Sequence, residues 1–136
     1  MITYKQNPQQ LDFQAVLDLY ESVGWISYTA KPKMLEEALK NSLVVLYAFD
    51  GDKLVGLIRA VGDGASILFI QDILINPSYQ RQGIGSQFVK KILARFSDVY
   101  QIHLLTDNQE GTRQYYQSLG FTEVTTIGCL AYTYLR

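Results

Sequence analysis

Apolar residues recur along this chain with two spacings, and the switches between them mark out its elements. Residues 2–6 read as a short strand, and residues 11–23 bring Phe13, Val16, Leu17 and Tyr20 onto one helical face. Gly24 suits the end of that helix, because glycine takes the left-handed cap conformation readily. Residues 25–31 read as a loop carrying Trp25, Tyr28 and Thr29. Pro32 fits the first turn of a second helix, where its missing N–H costs nothing, and Leu35, Ala38 and Leu39 form that helix's stripe.

Residues 43–49 (LVVLYAF) then make an almost continuously apolar strand. Asp50-Gly51-Asp52 is a turn signal, so residues 53–61 should pair back antiparallel. A second turn, Gly62-Asp63-Gly64, leads into a longer strand over residues 65–75. After a polar, glycine-containing stretch, Ile84, Phe88, Val89, Ile92, Leu93 and Phe96 fall on one face of an amphipathic helix. Residues 101–106 form a strand parallel to the previous one, reached by that helical crossover. Residues 109–119 are helical and stop at Gly120. Residues 121–125 and 129–135 read as two final strands, the last alternating Leu130, Tyr132 and Tyr134. The expected class is α+β: a mixed, mainly antiparallel sheet of about seven strands with a central parallel pair, flanked by about four helices.

Composition narrows the function. A chain of 136 residues, 48% hydrophobic and 18% charged, suits one globular domain over residues 1–136 with its own core. A formal charge of −1 argues against general nucleic-acid binding, which needs a basic surface. The single cysteine, Cys129, forbids an internal disulfide and suits a reducing cytoplasm. Residues 1–10 are polar, unlike a secretory leader, and no apolar run reaches membrane-spanning length. His103 has no Cys, His or carboxylate companions at ligand spacing, so no metal is expected. Cys129 itself reads as a small buried residue of the last strand.

The candidate chemistry begins at residues 66–94, SILFIQDILINPSYQRQGIGSQFVKKILA, where a strand meets a glycine turn and then a helix. The first N–H groups of a helix have no internal partners, so this order makes an anion site. A P-loop needs Lys-Ser or Lys-Thr after its last glycine, and Ser86-Gln87 stands there instead. The dinucleotide fingerprint needs a third glycine, and Phe88 occupies that place.

Gln80-Arg81-Gln82-Gly83-Ile84-Gly85 fits the pattern [Q/R]-x-x-G-x-[G/A]. Here the chain resembles the GNAT superfamily of N-acetyltransferases, in which this motif binds the pyrophosphate of acetyl-CoA. The resemblance implies that Gln80, Arg81, Gln82, Gly83, Ile84, Gly85 and Ser86 hold that group, with Arg81 as a forked cation. It also implies that the strand splays from its parallel neighbour, leaving backbone groups of Ile73, Leu74 and Ile75 for the pantetheine arm and for an oxyanion. Tyr115-Tyr116-Gln117-Ser118-Leu119-Gly120-Phe121 is similar to the family's Y-x-x-x-G-F segment. That similarity makes Tyr116 the acid that protonates the departing thiolate, a role suited to a phenol protonated at neutral pH. By the same resemblance Asn108 corresponds to a coenzyme contact, one residue off the commonest spacing.

An amine must be neutral to attack, and many relatives supply a Glu where this chain has Gln71. The neighbouring Asp72 is then the candidate for orienting the ammonium or relaying its proton; pairing with a nearby cation is its alternative role. Residues 20–42 lie where the family binds its acceptor. With the VGW turn, the ALKNS segment and the DGDKLVGLIRA hairpin, they look similar to a subgroup containing plastid serotonin and protein-lysine acetyltransferases. Trp25, Tyr28 and Gln71 are the implied acceptor contacts, while Trp25 has the alternative of packing the first helix on the sheet. The resemblance implies transfer of the acetyl group of acetyl-CoA to a small-molecule primary amine or a lysine side chain by direct attack. A non-catalytic acyl-CoA-binding or sensory domain is the alternative that Gln71 keeps open. An exposed sheet edge at residues 129–135 would allow pairing into a homodimer.

Overall fold

The computed structural model covers residues 1–136 and contains two compact units, Met1–Leu105 and Thr106–Arg136. The first holds all five strands: β1 (Ile2–Gln6), β2 (Val44–Asp50), β3 (Lys53–Gly62), β4 (Ile67–Ile75) and β5 (Gln101–Leu104). They lie in the order β1-β2-β3-β4-β5, antiparallel except for the β4–β5 pair. The same unit carries α1 (Phe13–Ser22), α2 (Ile26–Thr29), α3 (Pro32–Lys40) and α4 (Ile84–Arg95). The second unit holds α5 (Glu110–Ser118) and a 3-10 turn at Val124–Ile127.

Each face of the sheet is covered by helices whose apolar stripes were legible in the periodicity. Asp12 starts α1 by accepting the Gln14 N–H at 3.0 Å, and Val16, Leu19 and Tyr20 then pack with Leu35 of α3. Beneath them are Val45 and Tyr47 of β2, Leu57 of β3 and Leu74 of β4. On the other face α4 buries Ile84, Phe88, Val89 and Ile92, with the Phe88 ring edge-on to Tyr4 at 5.5 Å. Gly56 makes this approach possible. A Cβ there would sit 3.1 Å from both Phe88 and Ile75, closer than carbon atoms pack.

Four expectations change. The sheet has five strands, not seven, because residues 121–125 and 129–135 form none. Gly120 (φ 95°) and Gly128 (φ 84°) are left-handed, Val124–Ile127 closes into a 3-10 turn, and residues 129–136 have no ladder partner. The parallel pair therefore stands at the sheet's edge and not at its centre. Residues 25–31 contain the short helix α2, which raises the helix count from four to five. Cys129 is exposed rather than buried, since the alternation around it meets no sheet. No helix is long and apolar enough to cross a membrane.

Candidate active site

The strand β4 changes character halfway. Ile67–Ile70 pair with Gln101–Leu104 of β5, whereas residues 71–75 have no strand on that side. On the opposite side β3 stays paired to the end of β4, with Ile73 against Ile58, Leu74 against Leu57 and Ile75 against Gly56. The backbone groups of β4 that face away from β3 beyond Ile70 therefore lack a ladder, as on any sheet edge.

At the same point the register slips by one residue. Arg59 pairs with Asp72 and Ala60 with Ile70, so Gln71 is the extra residue of a bulge. Arg59 and Ala60 are neighbours on β3 and face opposite sides of the sheet. The bulge thus puts Ile70 on the α4 side and Asp72 on the α1 side, although strict alternation would put both on one face. Gln71 itself is exposed.

The chain leaves β4 through Asn76, whose side chain accepts the Ser78 N–H at 2.9 Å and starts a 3-10 turn, Pro77–Tyr79. Gln80 Nε2 then donates to the Ile75 carbonyl at 3.3 Å. Arg81 (φ 65°) and Gly83 (φ 82°) are both left-handed. For a non-glycine residue that conformation costs about 1–2 kcal/mol, a strain often kept where a loop has work to do. Helix α4 follows with Gly83 as its N-cap and no side-chain cap. The Gln87 N–H is bonded to the Gly83 carbonyl at 3.0 Å, which leaves the N–H groups of Ile84 and Gly85 without intrahelical acceptors. The space a Gly83 Cβ would enter is open, Arg81 and Gln82 are exposed, and the Ile84 side chain anchors the turn in the core. Ser86, half-buried, completes the first helical turn.

Asp72 lies 3% exposed among donors. Its Oδ2 accepts from Arg59 Nε at 2.8 Å and from the Tyr20 hydroxyl at 2.9 Å, and its Oδ1 accepts from the Tyr28 hydroxyl at 3.0 Å. Arg59 is 6% exposed; burial works against its charge, but the contact with Asp72 outweighs this and holds its pKa above the ordinary value. Burial, followed by the Asp72 charge, pushes the Tyr20 phenol far above the usual tyrosine range, so it remains a donor. The Tyr28 ring stands edge-on to Tyr20 at 5.0 Å, and Trp25, 37% exposed, lies 6.0 and 6.4 Å from Tyr20 and Tyr28. A cavity of about 520 Å³ in this unit, lined by Lys40, Ser42 and Tyr47 among others, borders the end of the 20–42 region but includes none of the individual site residues expected from sequence.

In the second unit the Tyr116 ring packs edge-on against Tyr115 at 5.1 Å and Phe121 at 5.8 Å. Burial, with smaller contributions from Tyr115 and Asp107, pushes its phenol up to about 12. Asn108 is exposed, and its Oδ1 accepts from Arg113 Nη1 at 2.5 Å.

Residues 18–129, a stretch crossing both units, match the family described as the acetyltransferase (GNAT) domain. The chain belongs to the GNAT acetyltransferase family. It is 33% identical to the histone acetyltransferase TAP1 of Glycine max, over 81% of this chain and 50% of that protein. It is 33% identical to the chloroplastic GCN5-related N-acetyltransferase 2 of Arabidopsis thaliana, over 82% of this chain and 50% of that one. The chain thus spans about half the length of these curated relatives. A GNAT family acetyltransferase structure from Streptococcus pneumoniae superposes with a TM-score of 0.88 at 44% identity, covering 100% of this chain and 98% of that one.

For a GNAT domain the residues present fit acetyl-CoA. The Gly83 turn offers outward N–H groups, open space and an exposed guanidinium to a diphosphate, and the unpaired length of β4 offers a ladder to an amide-bearing arm. Tyr28 is bonded to Asp72 and its ring neighbours Trp25, while the GNAT turn follows the far end of the same strand; Tyr116 and Asn108 lie in the second unit. Arg59 and Tyr20, the partners that define Asp72, are not among the site residues expected from the sequence, although pairing with a cation was one of the roles open to Asp72. A lone arginine inside the apolar run LVGLIRAVG was the available signal, because a charge on a buried strand needs a counter-charge.

Proposed function

We propose that this chain is an acetyl-CoA-dependent N-acetyltransferase that acts on a primary amine, either a small molecule or a lysine side chain, by direct attack in a ternary complex. The observation that carries this is the left-handed Gly83 turn leading into an uncapped α4, placed after a strand whose outer edge is free beyond Ile70. In this reading Gln80–Ser86 bind the diphosphate through the N–H groups of Ile84 and Gly85, with Arg81 adding charge. Ile73, Leu74 and Ile75 hold the pantetheine arm, and one N–H among them stabilises charge developing on the thioester oxygen. Asn108 is a further coenzyme contact. Tyr116, protonated at neutral pH, donates its proton to the departing sulfur. Trp25, Tyr28 and Gln71 border the acceptor.

Asp72 enters this proposal through its neighbours. Three hydrogen bonds, one of them the ion pair with Arg59, engage both its oxygens, so it positions the acceptor side and leaves deprotonation of the amine to solvent. The second reading, a non-catalytic acyl-CoA-binding or sensory domain, is favoured by the same observation, since Gln71 is neutral and Asp72 is committed. Thiol release from acetyl-CoA over a panel of arylalkylamines, polyamines and lysine peptides separates the two. Turnover that Tyr116→Phe sharply reduces supports the enzyme; coenzyme binding without turnover across the panel supports the sensor.

Two finer points belong to the same proposal. Leu130, Tyr132, Tyr134 and Leu135 are 67% to 89% exposed, an alternation suited to a strand. We assign them to the edge of a second copy, giving a homodimer. The free thiol of Cys129 supports a reducing compartment such as the cytoplasm.

A further inference from the structure

We propose that the buried Arg59–Asp72 pair is a positioning device that clasps residues 26–42 onto the sheet and thereby sets acceptor affinity without touching the reacting atoms. This rests on the acetyltransferase reading above. The guanidinium uses all three nitrogens on three different segments. Nε donates to Asp72 of β4 at 2.8 Å, Nη2 to the Tyr28 hydroxyl in α2 at 3.2 Å, and Nη1 to Ser42 Oγ just after α3 at 3.4 Å. Tyr28 returns its own proton to Asp72, and Ser42 donates to the Ala38 carbonyl at 2.6 Å, so both hydroxyls are held in line. One side chain therefore fastens the stretch in α2 and again beyond α3.

Apolar burial holds this stretch only lightly. No residue of α2 is buried and it has no side-chain cap, while α3 buries Leu35 alone. Ile26 and Met34 face solvent on its outer side, and Trp25 just before it is partly exposed. The polar clasp accordingly carries much of the burden of keeping Trp25 and Tyr28 in place. Because the pair is mutually neutralised, it offers an acceptor ammonium orientation of its surroundings and no net charge. A lysine could not substitute: its single nitrogen cannot reach Asp72, Tyr28 and Ser42 in a fixed fork.

The test uses Arg59→Lys and Tyr28→Phe, the second removing only a hydroxyl should the first fail to fold. Trp25 is the only tryptophan, so its emission reports on the stretch directly. Both variants should shift that emission to the red and speed hydrogen exchange across residues 26–42 while β3 and β4 stay protected. Acceptor KM should rise about tenfold in Arg59→Lys, with kcat and the acetyl-CoA KM changing less than about threefold. Unchanged emission and exchange in both would overturn the clasp. So would a fall in kcat with a displaced pH profile, which would make Asp72 a proton-transfer group. A wild-type chain that transfers no acetyl group would sink the enzyme reading instead, and the fluorescence and exchange results would still judge the clasp.

Discussion

Arg59 Nε lies 2.8 Å from Asp72 Oδ2, and these two residues are the buried charged side chains of the protein. Each stands in a largely apolar strand and is almost fully buried, so neither charge has water to fall back on. Removing one partner leaves the other uncompensated. Asp72→Ala should lower the unfolding free energy by about 3–5 kcal/mol in urea titration, whereas Arg59→Met with Asp72→Leu should recover most of that loss. A double variant as unstable as the single one would mean that the pair's hydrogen bonds, and not the stranded charge, dominate.

Tyr116 carries a prediction about pH. Its pKa is raised from 10.0 to about 12, so the phenol keeps its proton through the range in which an ordinary tyrosine would lose it. An amine with a pKa near ~10 becomes a better nucleophile as pH rises through the same range. The rate should climb to a plateau and not turn down until pH approaches 12. Tyr116→Phe should lower kcat by about 10²–10⁴ while leaving acetyl-CoA affinity within about twofold. A basic limb centred at 10 would assign the acid to another group.

Gly83 separates conformation from crowding. At φ 82° with nothing within 4 Å of a Cβ, a substitution meets backbone strain of about 1–2 kcal/mol and no steric clash. Asparagine tolerates the left-handed region better than valine, so acetyl-CoA affinity measured by calorimetry should fall in the order Gly83, Gly83→Asn, Gly83→Val. Equal losses for the two variants would point away from the turn's conformation.

The exposed strand-like tail predicts an assembly. Light scattering should find dimers for the intact chain and monomers after deletion of residues 130–136 or after Tyr132→Lys, with the far-ultraviolet spectrum of the monomer otherwise preserved. Dimers that survive both changes would place the interface elsewhere.

Much of the fold was legible because helix stripes and hairpin turns are local signals. Phe88 and Ile92 fall on the buried side of α4, and Asp50-Gly51-Asp52 turns the chain where it should. The tail was misread because alternation records that a segment suits a sheet, while strandhood depends on a partner that the local sequence does not name. The GNAT turn could be read from Gly83 and its neighbours, since Gly83 holds a left-handed conformation that glycine adopts more readily than any other residue. Asp72 could be found but not placed. Its neighbours depend on a register slip at Gln71, and no spacing rule announces an unpaired residue inside a run such as ILFIQDILI.

That slip makes one strand serve two clients. Up to Ile70, β4 presents its buried residues to α4, the helix that follows the Gly83 turn; from Asp72 onward it presents them to α1 and the helices beside it. The helical layers on the two faces of the sheet are thus joined in series through one residue. Deleting Gln71 would remove the bulge yet leave every later side chain on its present face, because Ile70 and Asp72 would then be adjacent residues on opposite sides of the sheet. Ironing the bulge flat with Gln71 retained would instead turn Asp72 toward α4 and away from Arg59, so the unpaired residue, and not its side chain, keeps Asp72 among its donors.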